Sequence, residues 1–366
     1  AAGAIALLLG AIAAIGHAAA QGISVPAERT FRDWVVGCDN ARGCIAVGMI
    51  PATAIEPALV HVQRDAGRAA APRITFVLYD ESPAPPAGPQ MLIGIDDAPI
   101  EGVGSARPVA PVADFGGFVQ AALADDEVAP FVDGLRRGRS LRVAIDGGAS
   151  ADVSLDGAMA ALLFMDDVQG RVGTSTALAR PPRQRASSVP EPPPLPLVRP
   201  QPAPAGLDVE PGRAMQLSDG WVKETAIACA QDPSSPSLQA ETMAPLGGDR
   251  VLVAVACGGG AYNFDFVFGI VQPGEPLRVE PARFGLPAVD GSAAASVGEG
   301  LTNADIDAEA PTVGFISKGR GIGDCGSSGT YAWTGEEFVL ADWRVMPECR
   351  GVPEPYWPVL WRSRDR

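Results

Sequence analysis

The chain has 366 residues, 47% of them hydrophobic, with 28 basic against 43 acidic side chains and a formal charge of −15. That is long enough for two domains and too apolar for a disordered protein. The acidic balance, about −7 before a proline-rich joint and −10 after it with Lys only at Lys223 and Lys318, argues against nucleic acid and against anionic lipid as partners.

In chain order, the first feature is a twelve-residue apolar run from Ala4 to Ile15, short for a bilayer span, followed by Ala18, Ala19 and Ala20. It predicts a Sec signal peptide, residues 1–20, cleaved after Ala20. The mature protein is then periplasmic or secreted, with no membrane span after the leader. No Cys follows the run closely enough for a lipid anchor. Residues 21–180 contain short Val-, Ile- and Phe-rich segments bounded by Gly, Pro and Asp, which predict strands at Phe31–Gly37, Arg73–Tyr79, Gln90–Ile95, Leu141–Ile145 and Ala151–Leu155. Helices are predicted at Phe115–Leu123 behind Asp114, at Glu127–Arg137 behind Asp126, and from Asp156 to Met165. The pattern is that of a β-sandwich-like domain with peripheral helices.

Residues 181–206 hold ten prolines, a composition that favours polyproline II and removes donors needed for a sheet. Fully extended, this linker would hold two domains up to roughly 80 Å apart. Residues 207–366 then form an all-β domain, with strands expected at Trp221–Ala228, Arg250–Cys257, Thr312–Ser317, Thr330–Trp333 and Phe338–Trp343. Phe264, Phe266, Phe268 and Ile270 recur at period two, as on one face of a strand, and Gly335 fits a hairpin turn. The fold class is mainly β, with an α+β N-terminal domain.

Six cysteines behind an export signal predict disulfides. If each domain pairs its own, Cys38 joins Cys44, and three arrangements remain for Cys229, Cys257, Cys325 and Cys349. Pairing of sequence neighbours would close loops contributing at most roughly 2.4, 3.6 and 3.5 kcal/mol. The spacings are not those of a zinc site, and His61 is the single His of the mature chain.

The chemistry-bearing motifs are weak. The glycines of Lys318–Gly329 follow their Lys and precede a strand, the reverse of a phosphate loop, so a tight disulfide-pinned turn is favoured. Asn303, Asp305, Asp307 and Glu309 alternate like the start of a calcium loop, but Ala308 replaces the required Gly and a solvated turn is favoured. The doublets Asp96–Asp97, Asp125–Asp126, Asp166–Asp167 and Glu336–Glu337 are expected at the surface or at caps. His61, in a strand-like run, is expected half-buried, and with every thiol oxidised no nucleophile is left for it to activate. Trp343, Tyr356, Trp357 and Trp361 crowd the C-terminal end as a candidate binding surface, with closure of a core as the favoured alternative. No catalytic residue, cofactor or metal is expected.

Four motifs share an order with a secreted proteobacterial family of unknown function: FRDWVVGCDNARGC at Phe31–Cys44, MDDVQGRVGTSTAL at Met165–Leu178, CGGGAYNFDFVF at Cys257–Phe268, and KGRGIGDCGSSGTYAW at Lys318–Trp333. The first half also resembles invasion-associated locus B proteins. The resemblance implies an exported protein with paired cysteines and β-rich domains, and it implies no reaction. The leading functional expectation is a non-enzymatic binding module for a protein or glycan partner. The alternatives are a carboxylate-based hydrolase of cell-wall or extracellular polymers and an inhibitor of a host or competitor hydrolase that presents a rigid loop near Gly319–Gly329.

Overall fold

A computed structural model describes residues 25–81, 88–179, 188–201, 240–248, 250–272, 278–290, 298, 300–307 and 309–365. The expected leader, the strand Trp221–Ala228 and Cys229 lie outside these residues. The first half contains β1 (Ala27–Phe31), β2 (Trp34–Cys38), β3 (Cys44–Met49), β4 (Ala58–Arg64), β5 (Arg73–Tyr79), β6 (Gln90–Ile95), β7 (Ala106–Pro108), β8 (Ala110–Pro111), β9 (Phe118–Ala122), β10 (Ser140–Ile145) and β11 (Ser150–Ser154). Its helices are α1 (Val128–Leu135) and α2 (Ala158–Val168). The second half contains β12 (Ala240–Gly247), β13 (Arg250–Gly259), β14 (Phe264–Gln272), β15 (Arg278–Pro281), β16 (Gly300–Thr302), β17 (Asp305–Asp307), β18 (Thr312–Lys318), β19 (Gly326–Trp333), β20 (Phe338–Met346) and β21 (Val359–Arg362).

Every sheet is antiparallel. A seven-stranded sheet in the order β1-β2-β3-β4-β5-β9-β8 faces a four-stranded one, β11-β10-β6-β7. Trp34, Val36, Val60, Phe76 and Leu78 from the first meet Met91, Leu141, Val143 and Val153 from the second, with Phe131 of α1 and Leu162 of α2 closing the same core. The second half packs β12-β13-β14-β15, with β16 beside β14, against β17-β18-β19-β20-β21, around Leu252, Phe268, Val313, Tyr331, Trp333 and Leu340. A third apolar cluster joins the halves: Val35, Val47, Met49, Leu59 and Val77, on the outer face of the seven-stranded sheet, pack on Met346, Val352, Tyr356 and Trp357. Strands β2 and β3 are therefore buried on both faces and read as unbroken apolar runs rather than alternating ones.

Three expectations are corrected. Phe31–Gly37 is two strands, turned at Arg32 in a positive-φ conformation. Phe115–Leu123 is no helix: Gly117 turns the chain at φ +82, where a Cβ would lie 2.4 Å from the Tyr79 ring, and residues 118–122 pair with β5. The proline-rich segment is not a free spacer over 188–201. Val189 and Val198 are buried, Val198 N–H donates to Arg364 O (2.9 Å), Arg364 N–H donates to Pro196 O (2.9 Å), and Gln201 N–H donates to Trp333 O (2.8 Å). Proline leaves few N–H groups in this segment; two of them, of Val198 and Gln201, donate to carbonyls of the second half, and Pro196 O accepts from it in return.

Candidate functional site

The Trp side chains at the C-terminal end, expected as a candidate binding surface or as core closure, each donate their indole N–H to a partner within the fold. Trp357 is fully buried and donates from Nε1 to Val352 O (2.9 Å); Trp343 is buried and donates to Ser327 Oγ (2.7 Å). Trp361 is half-buried and donates to Leu340 O (3.1 Å). Tyr356 is buried between the halves, its hydroxyl donating to Gln120 Oε1 (2.8 Å). An indole or phenol supplies large apolar area with one polar tip, and here each tip meets a partner inside the fold.

Two predicted disulfides are present, Cys38–Cys44 and Cys325–Cys349, with Cα separations of 4.1 and 4.8 Å. Cys257 is also disulfide-bonded. Among the described residues the Cys, His, Asp and Glu trio close enough for a shared ion is Asp324, Cys325 and Cys349, and its sulfurs are bonded to each other. The glycine-rich segment is the expected pinned turn. Gly319 N–H donates to Cys325 O (2.8 Å), Asp324 accepts from Arg320 Nε (2.7 Å), and a Cβ on Gly326 would lie 2.0 Å from Ser317 O. Ile322 sits 75% exposed within it. Asp307 accepts from the N–H groups of Glu309 and Ala310, a turn rather than an ion cage. Asn303 clamps two backbone stretches, donating to Ile316 O (2.8 Å) and Tyr262 O (3.2 Å) and accepting from Phe264 N–H (3.0 Å). Asp166, expected at the surface or at a cap, is buried and accepts from the N–H groups of Leu178 and Ala179.

The place where recognition chemistry converges is a groove of about 380 Å³ over β17–β20. Phe115, from the first half, lines it together with Phe315 of β18 and the carboxylates Asp305, Asp342 and Glu354, and Ser328 and Thr330 of β19 complete the lining. Ser328 Oγ donates to Glu354 Oε1 (2.6 Å), and Arg344 lies 3.7 Å from the same oxygen. Burial pushes the Asp342 carboxyl above its ordinary range and Glu354 adds to this, against a hydrogen bond from Thr330 and the charge of Arg344. Alternation along β19 puts Ser328 and Thr330 on the face opposite Tyr331, and a bulge between Leu340 and Asp342 turns Asp342 to that same face, opposite Thr330, while Leu340 pairs with Tyr331 in the core. The strands were legible in the sequence, but the convergence of Phe115 with residues two hundred positions later depends on how the halves pack and carries no local signal.

The fold and groove define a disulfide-stiffened antiparallel β protein with an acidic, aromatic-walled recess between its two halves. The chain belongs to the DUF1176 family of proteins of unknown function, whose pattern matches residues 28–364. It is 29% identical over 353 residues to the uncharacterized protein YpfG of Escherichia coli (strain K12), covering 93% of this chain and 94% of that one. No solved structure matches it. No helix among the described residues is long and apolar enough to cross a membrane.

Proposed function

We propose that this is an exported, non-enzymatic binding protein of the bacterial envelope, periplasmic or secreted, whose groove recognises a segment of glycan. The observation that carries the reading is that Phe115 and Phe315 line one recess with Asp305, Asp342 and Glu354. Aromatic rings suit the C–H faces of a pyranose, and carboxylates accept strong hydrogen bonds from its hydroxyls and amides. Oxidised cysteines and the apolar run Ala4–Ile15, read as a leader, support an oxidising compartment of the envelope. We take residues 21–180 and 207–366 as two domains, tied by the linker at 181–206.

Calorimetric titration of the oxidised mature chain with chitotetraose and with trilysine tests the ligand class. Saturable binding of the tetrasaccharide, weakened at least about tenfold by Asp342→Asn, is expected. Binding of trilysine alone would replace the glycan with a cationic peptide.

A hydrolytic reading is favoured by one observation, the raised Asp342 carboxyl in the same groove as Glu354. A proton-bearing acid beside a second carboxylate is the arrangement glycosidases use. Release of shorter oligomers from chitotetraose, abolished by Asp342→Asn, would establish it over binding alone.

A further inference from the structure

The first half carries a second cavity, of about 550 Å³, a size that suits a small molecule. One wall is apolar, formed by Val128, Ala129 and Val132 of α1 with Leu178 opposite, and Arg64 lines it as well. Behind it lies a buried ionic cluster built largely by the Met165–Leu178 motif. Arg64, Asp166 and Arg171 are 4%, 1% and 0% exposed, two guanidinium groups against one carboxylate.

The hydrogen-bonding capacity of this cluster is unevenly used. Asp166 accepts from the N–H groups of Leu178 (2.8 Å) and Ala179 (2.8 Å). Arg171 is committed to Gln169 Oε1 (2.9 Å), Thr176 Oγ1 (2.9 Å) and Gly67 O. Arg64 Nε donates to Ala70 O (3.2 Å), but its Nη1 stands 3.8 Å from Asp166 and has no hydrogen-bond partner. The other charges lining the cavity do not relieve this excess: Asp133 is paired with Arg136, and Asp125 is exposed. A buried charge left without full compensation is costly, and an anion from outside would lower that cost. Burial and the neighbouring Arg171 bring the Arg64 pKa down to about 10, which leaves it cationic at neutral pH.

We propose that this cavity binds a small amphipathic carboxylate, its hydrocarbon body along α1 and its charged end toward Arg64. The site is separate from the groove, and its occupancy does not depend on the glycan reading.

The probes are octanoate and octanamide, which share an apolar body and differ in charge, titrated calorimetrically into the oxidised full chain at fixed ionic strength. Octanoate should bind at one site at least tenfold more tightly than octanamide and should raise the melting temperature. Arg64→Met should erase the preference for the charged probe. Ala129→Trp, placed at an exposed position on the cavity wall, should block both probes while leaving the ionic cluster intact, and it decides the matter if Arg64→Met does not fold. Equal affinity for the two probes, or unchanged octanoate binding in Ala129→Trp, would overturn the proposal.

Discussion

Arg362, in the last strand of the chain, forms an ion pair with Asp39, which lies in the turn closed by the Cys38–Cys44 disulfide. Its Nη1 lies 3.3 Å from Asp65, and the backbone beside it is locked to Asn40, whose Oδ1 accepts from Arg362 N–H (2.8 Å) and whose Nδ2 donates to Arg362 O (3.0 Å). Asp39 is buried and also accepts from the N–H groups of Ala41 (2.8 Å) and Gly43 (2.9 Å), yet burial still holds its carboxyl above the ordinary range. The short disulfide loop thus serves as a socket for the C-terminal strand.

Removing the cation should expose the cost of that socket. Arg362→Ala is expected to destabilise the chain by about 3 kcal/mol, because it strands a buried carboxylate. Asp39→Asn in the same background should recover part of the loss. A urea double-mutant cycle measures the coupling, expected at more than about 1 kcal/mol, and a value near zero would mean the pair does not hold the halves together.

Acid should loosen the same interface through His61. It is buried on β4 with its ring edge-on to Tyr356, Nε2 has no hydrogen-bond partner, and burial, with Arg344 and Arg73 nearby, lowers its pKa to about 4. The folded state then binds the proton less readily than the unfolded one, so this contribution is complete above about pH 6.5 and is lost as pH falls toward 4. The loss should approach roughly 3 kcal/mol, on the scale of 1.36 kcal/mol per pKa unit. Asp39 and Asp166 have raised carboxyl pKa values and act with the opposite sign, so the difference between the wild type and His61→Phe isolates the histidine. The stability of the wild type relative to His61→Phe should fall from pH 7 to pH 4 in urea titrations; a constant difference would show that His61 has the same pKa in the folded and unfolded chain.

Gly157 should tolerate no side chain. It caps α2 at φ +100, and a Cβ there would lie 1.8 Å from Phe31 O. Gly157→Ala is expected to cost more than about 2 kcal/mol, since it combines positive-φ strain with a backbone collision. Thermal unfolding checks this, with Gly147→Ala as the comparison: its φ is +75 but nothing stands within 4 Å of the added Cβ.

The Cys325–Cys349 and Cys38–Cys44 disulfides should differ in worth. Serine at both Cys325 and Cys349 should lower stability by up to about 3.5 kcal/mol, against about 2.4 for Cys38 and Cys44, because the longer loop loses more entropy when closed. Equal losses in urea unfolding would point to enthalpic rather than entropic stabilisation.

The sequence made some of this visible and hid the rest for physical reasons. Arg73–Tyr79 and Gln90–Ile95 match their strands end to end because Gly, Pro and Asp bound them. Cys44–Met49 escaped because a strand covered on both faces loses its alternation. At Phe115–Leu123 Asp114 mimics a helix cap, but Gly116 and Gly117 favour the turn that forms instead. The glycine-rich segment was legible as a turn because its Lys stands on the wrong side for phosphate. Of the groove, Asp305 and the strands carrying Phe315, Ser328 and Asp342 could be found locally. Phe115 could not be assigned to it, since its place there depends on docking of the halves through Tyr356 and Trp357.

That shared construction gives the most direct test of the central claim. Chitotetraose affinity should be measured by calorimetry for the wild type, Phe115→Ala and Phe315→Ala, alongside their melting temperatures. If the groove between the halves is the binding site, each variant weakens binding about tenfold or more, through loss of one ring face, with little change in melting temperature for Phe115→Ala. Wild-type affinity in both variants would place glycan binding elsewhere and contradict the account.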